Sequence, residues 1–87
     1  MTDLDAHDAA YEVAEAAFIE AVRQGVERNL LSDLADAVSA AATAFNAAAY
    51  EAFHAMAIQD RTSLDLLTER TEVLSELWTD LAAAYRV

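Results

Sequence analysis

The chain has 87 residues, too few for two hydrophobic cores, and it contains no cysteine and no proline. Asp and Glu number 16 against 5 basic residues, all arginine, for a formal net charge of −11. This composition excludes disulfides and thiolate metal sites, disfavours binding to nucleic acids or anionic membranes, and favours helix throughout.

The first predicted helix runs from about Asp3 to Arg28. Thr2 and Asp3 are candidate N-caps, and Arg28 and Asn29 suit the carboxyl end of the helix. Apolar residues recur at steps of three and four positions, which is typical of the buried face of an amphipathic helix. We expect this buried face to consist of Leu4, His7, Tyr11, Ala14, Phe18, Ala21, Val22, Gly25 and Val26.

The second predicted helix covers about residues 33–58, with Ser32 as its N-cap. Most of its positions are alanine, so neighbours can approach on more than one side, and we expect it to be the central helix. Its predicted core face consists of Leu34, Val38, Ala41, Phe45, Ala49, Ala52, Phe53 and Met56. The opposite face is small and weakly charged, as contact surfaces are, and carries Asp36, Ser39, Thr43, Asn46 and Tyr50.

The third predicted helix covers about residues 63–86, and Asp60, Thr62 and Ser63 compete as its N-cap. Its outer side is an acidic stripe, which we call the α3 acidic stripe: Asp65, Glu69, Glu72, Glu76 and Asp80. Its predicted core face is a wide apolar arc, which is typical of a helix with two neighbours: Leu64, Leu67, Leu74, Trp78, Leu81 and Tyr85, broadened by Leu66, Val73 and Leu77.

Short connections between three long helices predict an all-α, antiparallel up-down-up three-helix bundle that forms a single domain over residues 1–87. The longest uncharged run, Ala37–Tyr50, is shorter than the roughly 20 apolar residues that span a bilayer. The amino-terminal segment MTDLDAHDAAYE is acidic, unlike the start of a secretory signal. We therefore expect a soluble cytoplasmic protein.

Glu51 and His54 have the Glu-x-x-His spacing that carboxylate-bridged metal sites use in helical bundles. With 100° between successive residues, His54 points away from the core face centred on Phe45 and Ala52, and Glu51 lies to the side. An intramolecular di-iron site would need a second inward-facing pair and two more glutamates. We expect surface residues here, and a metal site at Glu51 and His54 only if an oligomer completes it.

His7 lies on the apolar side of the first predicted helix, close to the amino terminus. A histidine on such a face usually packs against its neighbours and makes a hydrogen bond. Tyr11 and Glu15 are its nearest helical neighbours and are therefore its expected partners.

The acidity has two explanations at the level of sequence. One is adaptation to high salt, where counterions screen the repulsion between carboxylates, and the spread of acidic residues along the whole chain favours it. The other is docking on a basic partner or mimicry of a nucleic acid.

The alanine-rich amphipathic helices resemble, in composition, granule-coating phasins and the helical subunits of self-assembling protein ribbons. The lysine-free acidity resembles proteins of salt-loving archaea. No residue-level motif accompanies either likeness, no spacing predicts a nucleophile with its base, and a single glycine excludes a phosphate-binding loop.

We expect a non-enzymatic module without a cofactor that acts by protein–protein association, either as a homo-oligomer or with a protein partner. The alternatives are a metal-binding oligomer built on Glu51 and His54, and an acidic inhibitor that occupies a basic groove.

Overall fold

The computed structural model describes residues 3–55 and 62–86, which form three helices. They are α1 (Asp3–Gln24), α2 (Arg28–Ala55) and α3 (Thr62–Arg86). The described residues contain no strand, so the predicted all-α three-helix bundle is confirmed. None of these helices combines the length and the apolarity needed to cross a bilayer.

The turn between α1 and α2 is built on Gly25, whose φ of 73° lies in the left-handed region that glycine adopts without a Cβ clash. The Gly25 N–H donates to the Val22 carbonyl at 3.1 Å, and the Val26 N–H donates to the Ala21 carbonyl at 3.3 Å. These two bonds define a Schellman motif, which ends a helix. The first helix therefore ends at Gln24 rather than at the predicted Arg28.

The second helix begins at Arg28 rather than at residue 33, so the predicted N-cap at Ser32 is wrong. Ser32 lies inside α2, is buried, and donates its hydroxyl to the Ala82 carbonyl of α3 at 3.1 Å. Arg28 donates to the Ala84 carbonyl at 2.9 Å and lies 5.6 Å above the ring centre of Tyr85. The start of α2 is thus fixed by contacts with α3 that no local capping signal reveals.

Several predictions fall on residues outside the described part of the chain. They are the extension of α2 to residue 58, the core position Met56, and the N-cap candidates Thr2 and Asp60. The other two α3 candidates are Thr62, which is the first residue of the helix, and Ser63, which follows it.

The second helix packs against both others, as predicted for the central helix. Phe45, Val38 and Ala49 of its predicted core face are buried, and Leu34 and Ala41 pack partly buried against the same core. By contrast, no Cα atom described in α1 lies within 8 Å of a Cα atom of α3. The outer two helices are therefore each adjacent to α2 but not to each other.

The contact between α2 and α3 is a seam of small polar side chains, here called the hydroxyl seam. Ser39 is hydrogen-bonded to Thr79 at 2.7 Å, Thr43 to Ser75 at 2.7 Å, and the Thr71 hydroxyl donates to Asn46 Oδ1 at 2.8 Å. Fully buried alanines follow the same side of α2: Ala35, Ala42 and Ala49. The face of α2 that we expected to be a contact surface is therefore in contact with α3 of the same chain, although Thr43 and Tyr50 on this face stay exposed.

The contact between α1 and α3 is made by long side chains that bridge the gap between the two helices. The Trp78 indole N–H donates to the Tyr11 hydroxyl oxygen at 3.0 Å. The Phe18 ring packs edge-on against Trp78, with centroids 5.0 Å apart, and against Tyr85 at 5.9 Å. Because these rings hold the helices apart, the bundle is open along this side.

Part of the predicted apolar core is wrong. Val22 of α1 is exposed, and the residues expected to broaden the core face of α3 are also exposed: Leu66, Val73 and Leu77. Thr68 and Thr71 occupy the buried side of α3 instead. Burial costs them little, because Thr68 donates to the Asp65 carbonyl, and Thr71 to the Leu67 carbonyl and to α2.

Candidate functional site

Glu51 and His54, the predicted metal ligands, are both exposed near the end of α2. The His54 ring stacks on Tyr50 with centroids 6.2 Å apart and meets the edge of Phe53 at 5.5 Å. Within residues 3–55 and 62–86, no group of three or more His, Cys, Asp or Glu side chains is arranged to hold a metal ion. A site that is completed across an oligomer stays a prediction.

His7 lies half-buried in a groove of about 500 Å³ between α1 and α2. Its expected partners bond to each other instead, since the Tyr11 hydroxyl donates to Glu15 at 3.1 Å, and His7 has no hydrogen bond to a described residue. Glu51 lines the same groove, so the structure places it with His7, among mostly small apolar residues: Leu4, Ala44, Ala47, Ala48 and Ala52.

The strongest candidate for a functional surface is the open side of the bundle, here called the α1–α3 cleft. One wall is a stripe of α1 residues, and the other is a stripe of α3 residues. In both stripes the positions follow one another at alternating steps of four and three, which is the spacing of a helix–helix seam. The stripes are Asp8, Glu12, Glu15, Ile19 and Val22 on α1, and Arg70, Leu74, Leu77, Leu81 and Ala84 on α3.

Two depressions lie on the α3 wall of this cleft, and the first of them also reaches α1. The first, about 430 Å³, lies between α1 and α3 and is lined by residues of both, among them Tyr11, Glu15, Ile19, Arg70 and Leu74. The second, about 350 Å³, is lined by Leu77, Asp80, Leu81 and Ala84 further along α3. Tyr11, Phe18, Trp78 and Tyr85 form an aromatic bridge between the two helices, of which Tyr11 lines the first depression while Phe18 and Trp78 are buried.

The cleft has a charged end and an apolar end. At the charged end, the carboxylates of Asp8, Glu12 and Glu15 share the cleft with the guanidinium of Arg70, which forms no ion pair with a described residue. The apolar end begins at the middle of the α3 stripe, where Leu77 is 55% exposed, and continues on α1 with Ile19, 50% exposed, and Val22, 46% exposed. The charged end therefore carries a net negative charge, and the apolar end leaves large aliphatic surface in contact with water.

Tyr11 lines the first depression and is held in its neutral form. Burial raises the pKa of its hydroxyl above the usual value, the hydrogen bond from Trp78 opposes this, and the nearby Glu15 carboxylate raises the pKa further. A protonated Tyr11 can accept from Trp78 and donate to Glu15 at the same time, as observed. We assign it a structural role, since both of its hydrogen bonds are made within the bundle.

Several hydroxyls that could serve as nucleophiles, those of Ser32, Ser39, Thr43 and Ser75, are hydrogen-bonded between α2 and α3. The α1–α3 cleft offers aliphatic side chains bordered by carboxylates, which suits a helix or another apolar surface.

Sequence reasoning missed this cleft because its residues did not stand out as one surface. Leu77 and Val22 fall on the predicted core faces, and no binding role is predicted for Asp8 and Glu12. The regular spacing from Asp8 to Val22 is a second stripe on α1 that could have been found. Its exposure depends on the distance between α1 and α3, which no sequence spacing gives.

No protein-family model matches the chain, and no characterised protein or solved structure is detectably similar to it. The chain's own geometry therefore carries the functional conclusion.

Proposed function

We propose that this protein acts by protein–protein association, without a catalytic step of its own, and that the α1–α3 cleft is its contact surface. The observation that carries the proposal is the alignment of exposed Ile19, Val22 and Leu77 at one end of the same cleft. Single exposed aliphatic residues are common on protein surfaces. Aliphatic residues that line both walls of a cleft at helix-seam spacing are typical of a binding groove.

The arrangement of the helices supports the same conclusion. In a four-helix bundle each helix has two close neighbours and one diagonal partner. Here α2 is the close neighbour of both α1 and α3, while α1 and α3 are separated as diagonal partners are. The α1–α3 cleft therefore corresponds to the unfilled fourth corner of such a bundle.

The apolar end of the cleft supplies part of the binding energy. Burying a whole aliphatic side chain contributes about 1.5–3 kcal/mol, so the exposed halves of Ile19, Val22 and Leu77 contribute roughly 1 kcal/mol each. Association costs at least about 4 kcal/mol in lost freedom of motion. A stable complex therefore needs a further contribution, and the carboxylates at the charged end are the nearest source.

The test is site-specific photo-crosslinking of the full chain in the cells that produce it. A photoreactive residue at Leu77 or Ile19 should give discrete adducts with a partner or with a second copy. The matched control is Val13, which is 71% exposed on α1 and does not line the cleft. If Leu77 and Ile19 give no adduct, or if Val13 gives the same ones, the cleft is not the contact surface.

A further inference from the structure

We infer that the partner is a cationic amphipathic helix that occupies the open fourth corner, an inference that rests on the proposed function above. The cleft combines two recognisable parts, an aliphatic end and a carboxylate end, on walls of continuous helix. A helix with an apolar stripe at one end and Lys or Arg residues at the other matches both parts in one element.

The dimensions of the cleft suit a helix. The two stripes run from Asp8 to Val22 on α1 and from Arg70 to Ala84 on α3. At 1.5 Å per residue each stripe is about 21 Å long, or about four helical turns. A partner helix of about 15 residues would contact the whole cleft, with apolar residues at the a and d positions that face Ile19 and Leu77.

The charges favour a cationic partner over a second copy of this chain. Asp8, Glu12 and Glu15 outnumber Arg70 in the cleft, and Asp80 adds a further carboxylate at its α3 edge. A second copy would bring the same carboxylates and the same net charge of −11 against them. A cationic helix would instead pair with these groups and be drawn in by the field of the whole protein.

The direction of the partner follows from the same groups. In an antiparallel bundle the fourth helix runs opposite to α1 and α3, and hence parallel to α2. Its carboxyl end then lies beside Asp8 and Glu12, near the start of α1. Lys and Arg in the last turns of a helix also interact favourably with its dipole, so both effects place the cationic residues of the partner at its carboxyl end.

The experiment uses a labelled synthetic helix and the full chain, with binding followed by fluorescence anisotropy. The probe has about 15 residues, Leu and Ile at the a and d positions of its first half, and Lys and Arg in its last two turns. One control peptide has the same composition in scrambled order, and another carries the cationic turns at its amino end. We expect the probe to bind at least about tenfold more tightly than the scrambled peptide, and more tightly than the reversed one.

Matched variants of the chain locate the binding. Leu77→Ser should weaken binding of the probe about tenfold. Val13→Ser also replaces an exposed aliphatic side chain by serine, but outside the cleft, and should leave binding unchanged. Glu12→Gln should reduce the dependence of binding on salt. Glu69→Gln also removes one negative charge, but from the α3 acidic stripe outside the cleft, and should reduce the salt dependence of binding less.

The outcomes separate this inference from the proposed function. Equal binding of the scrambled peptide, or equal effects of the variants within each matched pair, would show non-specific attraction and overturn the inference. Equal binding of the reversed peptide would overturn the assigned direction. If Leu77 crosslinks to a second copy and the probe does not bind, the proposed function holds and the cationic partner is wrong. If neither crosslinks nor binding of the probe are observed, both the proposed function and the inference are wrong.

Discussion

At the scale of single residues, the Tyr11 hydroxyl acts as hydrogen-bond acceptor and donor at the same time. One hydroxyl accepts from the buried indole of Trp78 and donates to Glu15, and so connects α1 to α3 where their backbones are far apart. A buried donor that loses its acceptor costs about 1–3 kcal/mol, because it is no longer solvated by water. The stability of the α1–α3 contact therefore depends strongly on this oxygen.

Tyr11→Phe keeps the ring but removes the oxygen, so the Trp78 N–H loses its acceptor. We expect a loss of about 1–3 kcal/mol in the free energy of unfolding, measured by urea denaturation. Tyr50→Phe is the matched control, because Tyr50 donates to Glu72 on the exposed surface. Equal losses in the two variants would contradict a special role for Tyr11.

The same residue predicts a loss of stability at alkaline pH. The pKa of Tyr11 is raised in the folded state above its ordinary value of about 10.0, chiefly by burial. The unfolded chain therefore releases this proton first, and the stabilising contribution of Tyr11, complete below about pH 10, is lost as pH rises through the folded pKa. In the parent the free energy of unfolding should fall above pH 10 more steeply than in Tyr11→Phe. Parallel curves would contradict the assignment.

Glu51 and His54 should not hold a metal in the isolated chain, because both are exposed and provide only two ligands. We expect a calorimetric titration with zinc or ferrous iron to show no difference between the parent and His54→Ala. Micromolar binding lost in His54→Ala would contradict this expectation and show that His54 is a ligand, as the oligomer-completed site requires. Binding lost in His7→Ala instead would place the ion in the groove that His7 shares with Glu51.

At the scale of helices, the hydroxyl seam determines how closely α2 and α3 can pack. Small side chains line both sides of it, and polar pairs such as Ser39 with Thr79 satisfy their hydrogen bonds across it. Ala35, Ala42 and Ala49 leave no room for a longer side chain on this side of α2. We therefore expect substitutions in the seam to destabilise the protein more than substitutions on the surface do. The largest losses should come from substitutions that add volume.

Ala42→Leu tests the seam by adding volume where Ala42 is fully buried. We expect a destabilisation of about 1–3 kcal/mol, because overpacking forces helices apart or side chains into poor rotamers. Ala40→Leu makes the same change on the exposed side of α2 and should be nearly neutral in thermal denaturation. A neutral Ala42→Leu would mean that α3 does not lie against this face.

Sequence reasoning located the helices and their large buried residues but not the sides on which helices meet. Phe18, Phe45 and Trp78 are bulky apolar residues at helical spacing, so their burial follows from pattern alone. Thr71 and Ser32 look like surface or capping residues, and only their acceptors on another helix make burial favourable. Those partners are distant in sequence, and helical periodicity carries no information about them.

The end of α1 is different, since its signal was present in the sequence. Gly25 is the only glycine, and glycine just past the last turn is the commonest way to end a helix. The prediction favoured the polar residues Arg28, Asn29 and Ser32, which capping preferences also allow. Gly25 and the polar residues were alternative predictors of the end of α1. The glycine was the better one, because it adopts the positive φ that this helix end requires.

At the scale of the whole molecule, repulsion between like charges opposes folding. The five arginines cannot neutralise 16 carboxylates, and among the described residues the ion pairs are those of Asp36 with Arg86 and of Glu20 with Arg23. The α3 acidic stripe places like charges on one exposed side of a helix, which destabilises it in dilute buffer. Counterions would relieve this repulsion.

We expect the melting temperature to rise steadily from dilute buffer to molar KCl as the repulsion along the α3 acidic stripe is screened. Glu69→Gln should raise the melting temperature in dilute buffer and flatten its dependence on salt. Sodium sulfate strengthens burial of apolar surface as well, so KCl is the cleaner reagent. A melting temperature indifferent to KCl would contradict the high-salt explanation and favour a dedicated basic partner.

The aromatic bridge gives the protein an internal spectroscopic probe. Trp78 is the only tryptophan, and its indole contacts two side chains of α1, so its fluorescence reports whether that helix is docked. Far-ultraviolet circular dichroism reports the helices themselves. Since α2 packs less extensively against α1 than against α3, and α1 is joined to α3 by side chains alone, we expect undocking of α1 to precede melting of the α2–α3 hairpin. The fluorescence transition would then fall at lower denaturant than the dichroism transition, making the hairpin a separate cooperative unit.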